Sequence, residues 1–434
     1  MNPAFEAYRK SLLGKEVTVI GLGVSNRPLV RLLLDSGARV TVCDQNAGID
    51  PSEWQGAELR LGAGYLDGLP GEVIFRTPGL RPDHPSLVRA RNEGRRVTGE
   101  MEEFFALCPC PILGVTGSDG KTTTTTLIAE MLRAAGLTVY LGGNIGTPLL
   151  AQTGEITPDG FAVVELSSFQ LMDMTRSPKT AVITNITPNH LDWHRDMDEY
   201  IAAKRVTLDH QGKDDLAVLN ADNPLTEHLR GNGRTEYFGG SRIRDGLIDG
   251  FLPLDSIRLR GHYQVENFMA AMTAVRGLVP EDCVRDVAET FRGVPHRNEL
   301  VAVKDGVAYY NNSIGSSPAR TAATLRAHEG KVLLIAGGRD KKVPFGELCA
   351  LFPRHVKRLY LIGEAADAIE AATRAVPGAP VPERCGGLQD AVLRASRAAR
   401  PGDTVLLSPA CTAFDAYQNF EERGKHFVEI VNTL

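Results

Sequence analysis

Short apolar runs alternate along the chain with stretches of helical period, and glycine-bearing turns separate them. Glu16-Val-Thr-Val-Ile20, Arg39 to Cys43, Glu72 to Phe75 and Pro111-Ile-Leu113 read as buried strands. So do Thr138-Val-Tyr140, Phe161-Ala-Val-Val-Glu165, Thr180 to Asn185, Leu216 to Asn220, Lys331 to Ala336, Arg358 to Gly363 and Thr404 to Leu407. Helices are expected over Arg27 to Leu34, Glu102 to Leu107, Thr124 to Ala135, Asp198 to Asp209, His262 to Val275 and Leu388 to Ala399. In the third of these, Leu127, Ile128, Met131 and Leu132 share one face. Strands that alternate with helices predict mostly parallel, doubly wound sheets. The pattern assigns nothing securely from Arg230 to Leu259, and Gly293 to Arg297 reads as an interdomain linker.

One turn stands out chemically. Gly114-Val-Thr-Gly117-Ser118-Asp119-Gly120-Lys121-Thr122-Thr123 follows a strand and opens a helix, which is the phosphate-binding loop arrangement. Glycines let backbone N–H groups converge on phosphate oxygens, and the helix N-terminus adds partial positive charge. Lys121 is placed to reach the β- and γ-phosphates, and the Thr122 hydroxyl to ligate Mg²⁺. The spacing is a shorter variant of the usual pattern, running Gly117-Ser-Asp-Gly120.

Other candidates sit at strand ends, where parallel sheets bind ligands. Gly21-Leu22-Gly23-Val24-Ser25-Asn26 follows the first strand, and Asp44 ends the second. Asn26 stands where a dinucleotide fingerprint has its third glycine, so the turn suggests a phosphate-bearing nucleotide rather than NAD specifically. Thr77 and Gly79 follow another strand, with simple turn chemistry as the alternative. Glu165 ends an apolar strand and is a candidate for Mg²⁺ or its waters; a helix-capping carboxylate is the bland reading. His190, between Asn185 and Asp192, is a candidate for a second cation or a phosphate. Lys204 by itself reads as a solvated helix lysine.

Composition narrows the class. The chain has 434 residues, enough for about two to four domains, with 43% hydrophobic and 23% charged residues. A net charge of −5 and a pI near 6.1 argue against a nucleic-acid surface. Seven cysteines without a C-x-x-C pair argue against a disulfide framework or zinc ribbon, and Cys108-Pro-Cys110 reads as a reduced loop pair. There is no apolar run of about 18 residues and no apolar segment between Met1 and Glu16, so a cytoplasmic protein without a membrane anchor is expected.

The chain resembles the Mur ligase family. The resemblance is carried by Gly117 to Thr123, Gly142 to Gly146, Glu165-Leu-Ser-Ser-Phe-Gln-Leu171, Asn185 to Asp192, Ala202 to Lys204, Asn220 to Asp222, Gly261 to Asn267 and Pro295-His-Arg297. It continues through Leu407-Ser-Pro-Ala-Cys411 to Arg423-Gly424. The Ser-Ser-Phe-Gln-Leu and Ser-Pro-Ala-Cys stretches resemble the branch that adds D-glutamate to UDP-N-acetylmuramoyl-L-alanine. The resemblance implies three α/β domains: a Rossmann-like uridine-diphosphate domain over 1–98, a central phosphate-loop ATPase over 99–296, and a Rossmann-like D-glutamate domain over 297–434. It implies ATP and two Mg²⁺ ions held by Thr122, Glu165, His190 and a carbamylated Lys204. Gly117 to Thr123 (Ser118, Asp119 and Gly120 included), Asn267 and Arg297 would hold ATP. Leu22, Gly23, Val24, Ser25, Asn26, Asp44, Gln45, Thr77, Pro78 and Gly79 would hold the uridine nucleotide, with Asn144 and Ser167 on the same substrate. Ser316, Lys341, Phe414 and Phe420 would hold D-glutamate. A monomer is expected.

Departures from the family pattern concentrate in the last third. Asn312 and Ile314 replace an acid and a lysine, Ala413 replaces a serine, and Asp119 replaces an asparagine. Catalysis would run through an acyl phosphate, which closure of the third domain is expected to shield from water. Three other readings fit parts of the sequence: a nicotinamide-dependent dehydrogenase, a nucleotide switch, and a degenerate binding module. The phosphate loop speaks against the first, and the lack of any Asn-Lys dipeptide speaks against a guanine switch.

Overall fold

The computed structural model describes residues 2–259, 261–340 and 343–434. Residues up to Phe291 form one compact unit, and Arg292–Leu434 form a second.

The first unit contains two parallel sheets. β1 (Glu16–Ile20), β2 (Arg39–Asp44), β3 (Ala57–Leu61), β4 (Val73–Phe75) and β5 (Arg96–Thr98) are ordered β3-β2-β1-β4-β5. β6 (Ile112–Thr116), β7 (Val139–Gly143), β8 (Phe161–Glu165), β9 (Thr180–Ile183), β10 (Leu216–Asn220) and β11 (Arg234–Phe238) are ordered β11-β10-β9-β6-β8-β7. Parallel strands share a carboxyl edge, so the loops after β6, β8 and β9 gather at one place. β6 lies between β8 and β9, which puts its loop in the middle of that edge.

One apolar cluster joins the two sheets: Val17, Leu33 and Phe75 pack in it with Phe104, Ala162 and Val164. The helix Pro3–Leu12, which the sequence pattern did not indicate, adds Phe5 and Leu12. Burying a Phe or Leu side chain contributes roughly 1.5–3 kcal/mol each. Asn2 caps that helix through Ala4 N and Phe5 N, and its amide donates to Leu107 O at 2.9 Å. On the other face of the central sheet, Leu127, Ile128, Met131 and Leu132 pack with Phe268, Met269 and Ala271.

Two boundaries differ from the sequence reading. The helix after the phosphate loop begins at Lys121, not Thr124, because Gly120 is its N-cap with φ +80°. Gly114, Val115 and Thr116 complete β6, so the turn proper is Gly117–Gly120. A Cβ at Gly114 would stand 2.8 Å from Pro178 Cγ and 2.9 Å from Leu166 Cδ1, so that glycine serves packing. The unassigned 230–259 stretch supplies β11 and a small antiparallel sheet of β12 (Ile243–Arg244), β13 (Leu247–Ile248) and β14 (Leu252–Pro253). Arg242 anchors it by pairing with Asp249 and donating to Thr273 Oγ1 at 2.6 Å. Strands of two residues leave no readable alternation.

In the second unit, β15 (Glu299–Lys304) runs antiparallel to β16 (Val307–Asn311). β17 (Val332–Gly337), β18 (Val356–Ile362), β19 (Pro382–Arg384) and β20 (Thr404–Leu407) complete a sheet ordered β15-β16-β20-β17-β18-β19, parallel from β16 onward. Both faces are covered: Leu334 and Ala336 enter one apolar cluster, Leu333 and Ile335 the other. Among the described residues no helix is long and apolar enough to cross a membrane. All seven cysteines are free thiols; Cys108 Sγ and Cys110 Sγ stand 3.6 Å apart.

Candidate active site

The loop after β6 is held by the loop after β9. Ser118 N donates to Asn185 O at 2.9 Å, and Asp119 N to Asn185 Oδ1 at 3.0 Å. Thr184 Oγ1 donates to Asp119 O at 2.6 Å, and Ser118 Oγ bonds Thr187 O and the Tyr200 hydroxyl at 3.0 and 2.9 Å. Two glycines are sterically required. A Cβ on Gly117 (φ +148°) would collide with Thr184 Oγ1, and one on Gly120 (φ +80°) with Asn267 Oδ1. Asn267 is therefore packed directly against the loop; its Oδ1 also accepts from Thr124 Oγ1 at 3.4 Å. No side chain caps the helix at Gly120, so the N–H groups of its first turn point out as an anion site. Thr123 is buried in that turn.

Two lysines meet on one carbonyl. Lys121 Nζ donates to Gly117 O at 3.0 Å and Ser118 O at 2.9 Å, and Lys204 Nζ donates to Gly117 O at 2.7 Å. Lys204 is 1% exposed and lies 4.4 Å above the Tyr200 ring. Burial first, and then the charge of Lys121, push its amine well below the usual lysine range. Among the described residues, no carboxylate stands within hydrogen-bonding distance of it.

Glu165 closes the other side. Thr122 Oγ1 donates to its Oε2 at 2.7 Å, and Asn144 Nδ2 to its Oε1 at 2.8 Å. Ser167 begins a helical turn through a capping box with Gln170. His190 has φ +54° and packs edge-on against Phe169 with ring centroids 4.9 Å apart. Its imidazolium is disfavoured by desolvation and then by Lys121. Its ring and Lys204 both contact Tyr200. Tyr200 itself was missed in the sequence, although its i,i+4 spacing to Lys204 on one helix face was readable.

A second constellation forms at the carboxyl edge of the first sheet. Asp44 Oδ2 accepts from Leu22 N at 2.7 Å, which ties the loops after β1 and β2 together. A Cβ on Gly21 would stand 3.0 Å from Thr77 Cβ, so the loops after β1 and β4 touch. Asn26 turns inward, donating to Ile20 O and Gly21 O at 3.0 and 2.9 Å. Gly23, Val24, Gln45 and Gly79 are exposed, whereas Ser25 and Pro78 line a small cavity with Arg76 and Asp173. Leu22 is buried.

Arg297, Ser316, Phe414 and Phe420 belong to the second unit. Arg297 N donates to Val294 O at 3.0 Å, and Ser316 N to Ile314 O at 2.7 Å. Phe414 is 59% exposed, and the Phe420 ring lies 6.3 Å from that of His296. Lys341 lies outside the described residues. Asn312, one of the departures, is buried, and its amide donates to Thr324 Oγ1 and Ser408 Oγ at 2.8 and 2.9 Å. A carboxylate could only accept there, so the two hydroxyls would have to supply the protons that Asn312 supplies.

The central sheet with its loop, two lysines and hydroxyl–carboxylate pair defines a nucleotide-binding protein of the phosphate-loop class. Residues 115–239 match the Mur ligase middle domain, and residues 296–411 match the Mur ligase glutamate ligase domain. The chain is 44% identical over 464 residues to the UDP-N-acetylmuramoylalanine–D-glutamate ligase of Acetivibrio thermocellus, with 100% of both chains covered. The ligases of the same description from Clostridium kluyveri and Clostridium tetani are 44% and 41% identical, again with 100% of both chains covered. The UDP-N-acetylmuramate-alanine ligase from Thermotoga maritima has a similar fold, with a TM-score of 0.55 at 18% identity over 96% of this chain and 99% of that one. The chain belongs to the Mur ligase family.

Proposed function

We propose that this protein is an ATP-dependent, ADP-forming ligase that joins D-glutamate to UDP-N-acetylmuramoyl-L-alanine in peptidoglycan precursor synthesis. The full-length likeness to relatives of that description supports the substrate pair. The observation that carries the chemistry is the meeting of Lys121 and Lys204 on the Gly117 carbonyl, opposite the Thr122–Glu165 pair.

The donor set suits Mg²⁺. Thr122 Oγ1 and Glu165 Oε2 are hard oxygens already 2.7 Å apart, and Asn144 fixes the second carboxylate oxygen. Lys204 fits only if modified, because an ammonium offers no lone pair. A buried amine lacking an anionic partner can add CO₂, and the resulting carbamate presents two oxygens to a cation. Thr122, Glu165, His190 and carbamylated Lys204 would hold two Mg²⁺ ions. Bound there, Mg²⁺ would neutralise phosphate charge.

Lys121 and the first-turn N–H groups hold the γ-phosphate while the alanine carboxylate of the uridine nucleotide attacks phosphorus. ADP leaves, and the acyl phosphate accepts the D-glutamate amine with release of phosphate. Gly117 to Thr123, Asn267 and Arg297 bind ATP in this reading. The loops Leu22 to Asn26, Asp44-Gln45 and Thr77 to Gly79, with Asn144 and Ser167, bind the uridine nucleotide. Ser316, Lys341, Phe414 and Phe420 bind D-glutamate. The domains are 1–98, 99–296 and 297–434, and the protein works as a cytoplasmic monomer.

Phosphate release from ATP with the uridine nucleotide tests this. D-Glutamate should support turnover, while L-glutamate, L-alanine and D-alanine should not. Equal rates with all four would remove the assignment.

A further inference from the structure

The side chain of Arg76, which follows β4, is buried, with the residue 3% exposed. Its guanidinium donates to three carbonyls of its own loop, Thr77 O and Pro78 O at 3.2 Å each and Leu80 O at 2.6 Å. It also crosses to the segment after β8. There it donates to Phe169 O at 3.0 Å and grips Asp173 through both Nε, at 2.9 Å, and Nη2. Nε, Nη1 and Nη2 are all engaged, in a planar fork that lysine cannot reproduce.

What Arg76 joins is informative. Thr77, Pro78 and Gly79 form one candidate substrate loop. Phe169 stands four residues past Glu165, and its ring contacts His190 at 4.9 Å and Trp193 at 4.6 Å. The Thr77–Gly79 loop is also tied to the segment after β9. Trp193 Nε1 donates to Gly79 O at 3.1 Å, and Arg81 Nη1 to Trp193 O at 2.7 Å. Arg81 also holds Glu199, on the helix that carries Lys204, at 2.9 and 3.0 Å. Arg76 thus links the Thr77–Gly79 loop directly to the backbone between Glu165 and His190.

We infer that Arg76 is a positioning residue that couples occupation of the Thr77–Gly79 loop to alignment of the phosphoryl-transfer site. The inference rests on the proposed roles of that loop and of Glu165 and His190. A guanidinium that merely filled a gap would affect folding alone. A coupling residue affects substrate binding and turnover together, since misplacement of about 1 Å can cost on the order of a hundredfold in rate.

The test is steady-state kinetics of Arg76→Ala and Arg76→Lys in the full chain. Arg76→Ala should raise the uridine-nucleotide KM and lower kcat, each by about tenfold or more, with the D-glutamate KM within about twofold. Added guanidinium ion should recover part of the kcat, and Arg76→Lys should recover little. A folded Arg76→Ala with wild-type constants overturns the inference, as does full recovery by lysine. Should the alanine variant not fold, Asp173→Asn keeps every carbonyl contact and should show the same paired change at smaller size; unchanged constants there overturn the inference too. A wild type without uridine-nucleotide-dependent phosphate release would remove the proposed function and this coupling together. A working wild type beside an unaffected variant removes the coupling alone.

Discussion

The turn after β1 and the turn after β6 share a plan but not a chemistry. Both follow a central parallel strand, both are glycine-rich, and both open a helix. In the first, two side chains from the helix start reach into the turn: Asn26 spends its amide on Ile20 O and Gly21 O, and Arg27 Nε donates to Leu22 O at 3.3 Å. Asp44 adds a carboxylate that accepts from Leu22 N. In the second, two lysines converge on Gly117 O beside a hydroxyl–carboxylate pair. In the proposed function each glycine turn is a shape that admits a nucleotide. The charges placed around it decide whether the nucleotide is merely held or is made to react.

The largest effect separating the two turns is expected at Lys204. Lys204→Ala should abolish phosphate release, and small carboxylates such as acetate should partly restore it by replacing the carbamate oxygens. The solvated lysine expected from sequence alone is ruled out, since Lys204 is 1% exposed and donates to Gly117 O, so the alternative is a buried lysine that serves packing only. Full activity in the variant would return Lys204 to a structural role.

At the first turn the effect should be smaller and of a different kind. Asp44→Asn keeps one oxygen acceptor and loses the charge that favours the Leu22 N–H bond. The uridine-nucleotide KM should rise by about tenfold, equivalent to about 1.4 kcal/mol, with kcat nearly unchanged. A fall in kcat with KM untouched would mean that this turn takes part in the chemistry.

An effect on stability rather than on turnover is expected at the boundary between the two sheets, at Glu100. Its carboxyl is buried, accepts from Leu150 N at 2.9 Å, and is raised from its usual 4.5 to about 7, chiefly by burial. The folded state keeps a proton that the unfolded state has lost between those values. Its contribution is therefore present below about pH 4.5 and lost as pH rises through about 7. Glu100→Gln removes this titration, so its melting temperature relative to wild type should climb between those pH values, by the equivalent of up to roughly 3 kcal/mol. A difference flat with pH would contradict the burial argument.

Much of this was readable in advance, for physical reasons. Phe161–Glu165 and Thr404–Leu407 are continuous apolar runs, and each forms a strand at the expected bounds. Lys121, Thr122 and Glu165 lie at fixed places relative to strands, so spacing alone put them at one sheet edge, where Thr122 and Glu165 are hydrogen-bonded. Arg76 left no such mark, because its bonds run to carbonyls and a carboxylate scattered from Thr77 to Asp173. Asn26 was expected to face a ligand, but nothing in its position revealed that the amide folds back onto its own turn. Strands of two or three residues, such as β5 and β12, are made by their neighbours rather than by their own pattern.

In the proposed function, charge gathered at the second turn performs phosphoryl transfer while the first turn only binds. The most direct test of this claim is the rate of phosphate release from ATP by Lys121→Ala at saturating uridine nucleotide and D-glutamate. Loss of such electrostatic stabilisation should cost about 3–4 kcal/mol, a fall of more than a hundredfold, in a protein that still binds the uridine nucleotide. A variant that keeps more than about a tenth of the wild-type rate would contradict the claim.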